Sequence, residues 1–149
     1  MPDNDNRSEI MVRARWGEID ANGHMRNVAY LDLSANCRME FFNANGFTLL
    51  EFFGAGFGPT VLKDEIEYRS EVRLGDALTV TNELAGINEA GSRFIFRNRF
   101  IKENGKVAAT VSSLVMFLDL ATRKKTVPPE GLLKAILAMP HSEGFCAID

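Results

Sequence analysis

The spacing of apolar residues changes character several times along the chain, and each change marks an element. Ile10, Val12, Ala14 and Trp16 alternate with Met11, Arg13 and Arg15, which predicts a strand over 9–16 with one buried face. Gly17 to Arg26 replaces the alternation with turn residues. From Asn27 the period becomes helical. Val28, Leu31, Ala35, Arg38 with Met39, and Phe42 fall on one stripe, and Asp32, Asn36, Glu40 and Asn43 on another. Asn27 suits an N-cap and Asn45-Gly46 a C-terminal stop, so the expectation is one helix of about five turns. Thr48-Leu49-Leu50-Glu51 matches a capping box for a short second helix, closed by a loop over Gly54–Pro59.

Strands follow. Leu62, Asp64, Ile66, Tyr68, Ser70 and Val72 alternate with a wholly charged set from Lys63 to Arg73, and Leu74-Gly75-Asp76 forms a turn. A new alternation begins at Leu78 and reaches a hairpin at Glu89-Ala90-Gly91. Phe94, Phe96 and Phe100 share a face of the next strand. Asn104-Gly105 is a strong hairpin signal, leading into Val107–Asp119, the most apolar segment and the expected central strand. Pro128-Pro129-Glu130 opens a short terminal helix. The short connections imply an antiparallel sheet of about five strands, and the long helix must bury its stripe against it. The fold class is α+β. With 149 residues the chain is expected to form one domain, 1–149, with a loose leader at 1–8 and a loose tail at 140–149.

The stretch Asp20-Ala21-Asn22-Gly23-His24-Met25-Arg26-Asn27-Val28-Ala29-Tyr30 resembles the signature of hot-dog-fold thioesterases, the 4-hydroxybenzoyl-CoA thioesterase and acyl-CoA thioesterase family. Ile66 to Asp76, with its Tyr68 and its Gly75-Asp76 turn, is similar to that family's second strand. The likeness covers about 9–125, and many members carry Asn-Asn where this chain has Arg26-Asn27. The resemblance implies a hot-dog fold, a sheet wrapped around the long helix. It also implies hydrolysis of an aliphatic or aromatic acyl-CoA to free acid and coenzyme A. A homodimer, in some members doubled to a dimer of dimers, is implied as well, with sites at the protomer interface. Acyl-carrier-protein thioesterases carry a similar spacing and form one alternative. Hot-dog enoyl-thioester hydratases or dehydratases form another, but they place the His five residues after the Asp with a Pro between, whereas here the gap is four and no Pro intervenes.

Thioester hydrolysis needs an aimed oxygen nucleophile and a place for the tetrahedral oxyanion. A helix N-terminus offers unpaired N–H groups, and here those of Asn27 and Val28 are the candidates. Asp20, on the loop that enters the helix, is the candidate base or nucleophile. His24 can polarise the carbonyl or serve the leaving thiolate, and Asn22 can hold Asp20 or the water. Tyr30, Trp16 and Tyr68 are candidate walls for the substrate. Asp-Ala-Asn-Gly is equally good turn chemistry in its own right. Asp32 and Glu40 on the helix are reserve carboxylates. Arg69, Arg73, Arg93, Arg97, Arg99, Arg123, Lys124 and Lys125 are candidates for the coenzyme A phosphates or for a wet sheet face.

Composition narrows the classes further. Lys and Arg number 17 against 20 Asp and Glu, a net charge of −3, which argues against nucleic-acid binding. The longest uncharged stretch, Val107 to Leu118, is far short of a membrane span, and the polar N-terminus carries no visible signal peptide. Two cysteines make no disulfide framework, so a cytoplasmic location is expected. Two lone histidines make no zinc site, and no phosphate or dinucleotide loop is present. No metal and no cofactor are therefore expected; coenzyme A enters as part of the substrate.

Overall fold

Helix α1, Asn27–Ala44, is set by its two ends. The computed structural model describes residues 8–149, so all but the last residue of the expected leader lies outside the described residues. At the N-terminus Arg26 is the capping position, with extended backbone and no side-chain cap, and Asn27 is the first helical residue rather than the cap. At the C-terminus Gly46 takes φ of 87°. There the Phe47 N–H bonds to the Phe42 carbonyl (2.8 Å) and the Gly46 N–H to Asn43 (3.1 Å), a Schellman stop. Of the capping box expected for α2, Leu49–Ala55, the N-cap half forms, with Thr48 Oγ1 accepting from the Glu51 N–H.

The face that α1 buries differs from the expected stripe. Ala29, Tyr30, Leu33, Ser34, Cys37, Arg38, Phe41 and Phe42 are buried, while Val28 and Ala35 stay exposed. Apolar residues nearly encircle this helix, so periodicity alone does not choose its face; the sheet does. Val28, Leu31, Ala35 and Met39 are left as an apolar flank.

The strands are β1 Glu9–Arg13, β2 Phe57–Tyr68, β3 Ala77–Thr81, β4 Glu83–Asn88, β5 Arg93–Lys102, β6 Val107–Asp119 and β7 His141–Ile148. They form one sheet. Strand β6 pairs with β2 and β5, and β5 pairs on its other side with β3 and then β4, which are one bent strand broken at Asn82. Strand β1 continues beyond β3 and β7 beyond β4. All pairs are antiparallel except β4 with β7.

Four expectations need correction. The sheet has seven strands, not about five. The tail expected to be loose is β7, held parallel along β4. The loop expected at Gly54–Pro59 is shorter, because β2 begins at Phe57 directly after the left-handed Gly56. The first strand ends at Arg13, since Glu18 turns back to accept the Arg15 N–H (2.8 Å) and folds Trp16–Glu18 into a 3-10 turn.

Two apolar clusters fill the space between α1 and the sheet. One gathers Tyr30, Leu33, Val72, Leu78, Val80 and Phe100 near the helix N-terminus. The other is rich in phenylalanine, with Phe41, Phe42, Phe94, Phe96 and Phe117 covered by Leu132 and Ile136 of α3, Glu130–Leu137. Between them runs a polar layer. The Arg38 guanidinium donates to Asn98 and Ser113, and Asn98 donates to Asn82, whose amide in turn donates to the Cys37 carbonyl. Among the described residues no helix is long and apolar enough to cross a membrane.

Candidate active site

The loop entering α1 is a closed turn built on Asp20. Its N–H donates to the His24 carbonyl (2.8 Å), and its Oδ1 accepts the N–H groups of Asn22 (2.8 Å) and His24 (3.2 Å). Gly23 supplies φ of 80°. One carboxylate oxygen therefore serves the turn, as Asx chemistry predicts. The other, Oδ2, has no partner among the described residues. The loop docks on the sheet through the Met25 N–H, which bonds to the Val72 carbonyl (2.7 Å).

That docking creates a cavity of about 670 Å³. Asp20, His24, Asn27, Tyr30 and Tyr68 all line it, so five of the sequence candidates meet in one place. The first N–H groups of α1 belong to Asn27 and Val28 and lack intrahelical acceptors, leaving donors and a positive dipole end at the cavity. The two tyrosines meet edge to face, with ring centroids 5.5 Å apart. Tyr30 is only 2% exposed, and burial, with Tyr68 and Asp20 nearby, pushes its phenol up to about 12. It stays protonated at neutral pH and is a wall or a hydrogen-bond donor, not a base.

Other candidates fall outside. Trp16, expected on the buried face of the first strand, sits on the 3-10 turn at 81% exposure and does not line the cavity. Asn22 reaches Asp20 through its backbone, and its side chain is not among the lining groups. Val28 offers its N–H while its side chain is exposed. Asp32 and Glu40 are not at the cavity. Arg97 and Arg99 face a separate hollow of about 630 Å³, crowded by Glu65, Glu67 and Glu83. Cys37 is buried, and loss of solvent pushes its thiol up to about 12, which leaves it inert.

Sequence reasoning missed Glu71, which lines the cavity with Oε2 3.2 Å from His24 Nε2. The alternation over 62–73 places it with the outward charged set. However, the N–H groups of Arg69 and Ser70 both bond to the Ala108 carbonyl (2.8 and 3.1 Å), which breaks the alternation and ends β2. Ser70 also lines the cavity, and its Oγ is buried without a hydrogen-bond partner.

Comparison with known proteins places this geometry. The chain is 29% identical over 141 residues to an L-carnitine dehydrogenase/betainyl-CoA thioesterase of Rhizobium meliloti, covering 95% of this chain and 27% of that protein. It is 24% identical over 128 residues to the protein of that name from Agrobacterium fabrum, covering 86% of this chain and 25% of the relative. It thus spans about a quarter of the length of these curated relatives. Among solved structures, a Staphylococcus aureus protein in complex with coenzyme A superposes with a TM-score of 0.81 at 24% identity, over 89% of this chain and 82% of that one. A 1,4-dihydroxy-2-naphthoyl-CoA thioesterase from Synechocystis does so at 0.78 and 17% identity, over 90% and 98%. A family model matches residues 14–136, and on that match the chain belongs to the thioesterase-like superfamily.

Proposed function

We propose that the chain hydrolyses acyl-CoA thioesters to a carboxylic acid and coenzyme A, with the cavity beside the α1 N-terminus as its active site. One observation carries this reading. A carboxylate with one free oxygen, a histidine and the N–H end of a long helix share a single cavity walled by two tyrosines.

The chemistry follows from the groups present. Asp20 Oδ2 takes a proton from water as its oxygen attacks the thioester carbonyl carbon, or attacks that carbon itself and is released by water in a second step. The carbonyl oxygen becomes an oxyanion beside the Asn27 and Val28 N–H groups. The carbon–sulfur bond then breaks, and the thiolate leaves with a proton from His24 or solvent. No metal and no cofactor enter this scheme. An acyl carrier protein presents the same thioester and is an alternative donor.

The functional unit in this reading is a homodimer joined through β2. That strand has twelve residues and among the described residues pairs only with β6, and Val61, Leu62 and Tyr68 on it are exposed. A long edge with unpaired backbone groups invites another strand, although Lys63, Asp64, Glu65 and Glu67 charge its middle. Light scattering should find a dimer or a dimer of dimers, and Leu62→Lys on this edge should shift it toward monomer; an active wild-type monomer would sink the assembly.

The activity is tested with purified protein and a panel of acyl-CoAs, aliphatic, aromatic and betainyl, followed by free-thiol release. Turnover of at least one, lost in Asp20→Asn, supports the reading. No thiol release from any of them, with hydration of an enoyl-CoA instead, replaces it.

A further inference from the structure

Beyond the reacting end of the substrate, the groove between α1 and β2 holds features that the hydrolytic scheme does not use. Inward-facing β6 residues Ala109, Val111, Ser113, Val115 and Phe117 are buried, and opposite them β2 carries Tyr68, Ile66, Asp64, Val61 and Pro59. Directly paired residues share a face, so these five β2 side chains line α1 in that order. Tyr68 belongs to the Asp20 cavity. Val61 and Pro59 belong to a second cavity of about 170 Å³, lined also by Ala35, Arg38, Met39, Phe42 and Val115. The two cavities thus lie toward opposite ends of this run of β2 residues, with Tyr68 at one and Val61 and Pro59 at the other, and Ile66 between them packs with Leu31 of α1 on the same core cluster.

The second cavity is apolar except for Arg38. This residue is 8% exposed, and both of its hydrogen bonds come from Nη1, to Ser113 (3.2 Å) and Asn98 (3.4 Å). Its other two guanidinium nitrogens have no acceptor among the described residues. Neither nitrogen is sealed from solvent, so water can serve them, and a ligand acceptor in the apolar hollow would replace that water with a charge-assisted hydrogen bond. The Arg38 charge is already balanced locally, because Ser113 Oγ donates to Asp64 Oδ1 (2.5 Å) and so links the guanidinium to that carboxylate.

We propose that this groove holds the acyl group, extended from the thioester at the α1 N-terminus, and that Arg38 binds an uncharged oxygen acceptor, a hydroxyl or carbonyl, near its far end. The inference rests on the thioesterase reading. Arg38 lies eleven residues beyond Asn27, ~16 Å of helical rise, and helical side chains lean back toward the N-terminus. The substrate is then an acyl group that is apolar along its length and oxygenated at its tip. A terminal carboxylate would add a second negative charge beside Asp64, and a terminal cation would meet the guanidinium. A neutral acceptor satisfies the idle donors at no such cost.

The experiment compares octanoyl-CoA, omega-hydroxyoctanoyl-CoA and the eight-carbon omega-carboxyacyl-CoA on wild type and on Arg38→Met. The reading is the ratio of kcat/KM between substrates within each protein, which cancels any general loss. In the wild type the hydroxylated substrate should exceed the plain one by roughly tenfold, the scale of one hydrogen bond to a buried charge. In Arg38→Met that preference should vanish. Should Arg38→Met fail to fold, Ala35→Leu at an exposed helix position narrows the same cavity. It should lower the kcat/KM of octanoyl-CoA relative to acetyl-CoA. Equal ratios in wild type and variant, or a preference for the carboxylated substrate, overturn the inference while leaving the hydrolase intact. An Ala35→Leu ratio unchanged from wild type also overturns it. Absence of thiol release from every substrate points instead to failure of the thioesterase reading.

Discussion

His24 Nε2 lies 3.2 Å from Glu71 Oε2, and the two residues come from segments that the linear pattern assigns to different surfaces. Both side chains are partly exposed, and Glu71 also holds Arg73 at 3.2 Å, so the pair adds little to stability. In the proposed scheme its effect is to orient the imidazole over the cavity. Glu71→Gln should lower kcat on the order of tenfold, a fraction of the 10²–10⁴ that a positioned acid–base group supplies. Thermal unfolding should move little. A large Tm loss with unchanged kcat would show that Glu71 is a loop anchor and nothing more.

In the proposed scheme Asp20 has two separable duties, one in the turn and one in the chemistry. Asn at this position keeps an oxygen for the Asn22 and His24 N–H groups, so Asp20→Asn preserves the turn and removes the base. The expected result is near-native circular dichroism with turnover lower by a few orders of magnitude. Activity within threefold of wild type would mean that the carboxylate is there for the turn alone.

Because Asn27 is the first residue of α1, proline there is compatible with the helix. Arg26 before it already has extended backbone, φ −77° and ψ 154°, as a pre-proline residue requires. Asn27→Pro therefore deletes one N–H with minimal disturbance. If that N–H binds the oxyanion, the rate should fall by roughly 10²–10³. Asn27→Ser, which removes only the side-chain amide, should have a much smaller effect. Equal rates in the two variants would move the oxyanion hole elsewhere.

Glu83 ties three strands together. Its Oε2 accepts from Thr81 Oγ1 and Arg99 Nε, both at 2.6 Å, and its Oε1 from Ser142 Oγ of β7 at 3.0 Å. Burial alone would raise its carboxyl, but the bonds from Thr81, Arg99 and Ser142 prevail and hold it below the usual range. A depressed folded value means stability that is present at neutral pH and lost as pH falls through that value. Glu83→Gln should cost roughly 1–3 kcal/mol at neutral pH. The gap should close in acid, as denaturant titrations at a series of pH values would reveal; a gap constant with pH would contradict this account.

What the sequence made legible was local. The N-cap at Thr48, the Asn45-Gly46 stop, the Asn104-Gly105 hairpin and the apolar run of β6 each depend on a few neighbouring residues. So does the Asp20 to Tyr30 segment, of which Asp20, His24, Asn27 and Tyr30 do meet in one cavity. The failures are non-local. Which face α1 buries is decided by the sheet. Strand β7 shows little alternation of its own and exists because β4 offers an edge. Gly86 lets it approach, since a Cβ there would lie 3.1 Å from Ile148 Cγ2 and 3.2 Å from the Cys146 carbonyl. Glu71 reaches the cavity only because two N–H groups share the Ala108 carbonyl.

The strand order also carries a kinetic consequence. Strands β4, β5 and β6 follow one another through tight hairpins, so their pairing closes short loops at small entropic cost. The cavity needs two much longer closures: β2 must find β6, with Tyr68 opposite Ala109, and the Met25 N–H must reach Val72. On refolding, the meander can therefore restore about half of the strand residues while the Asp20 loop is still undocked. Recovery of catalysis should lag behind recovery of the meander, because the proposed site waits on closures that the meander does not need.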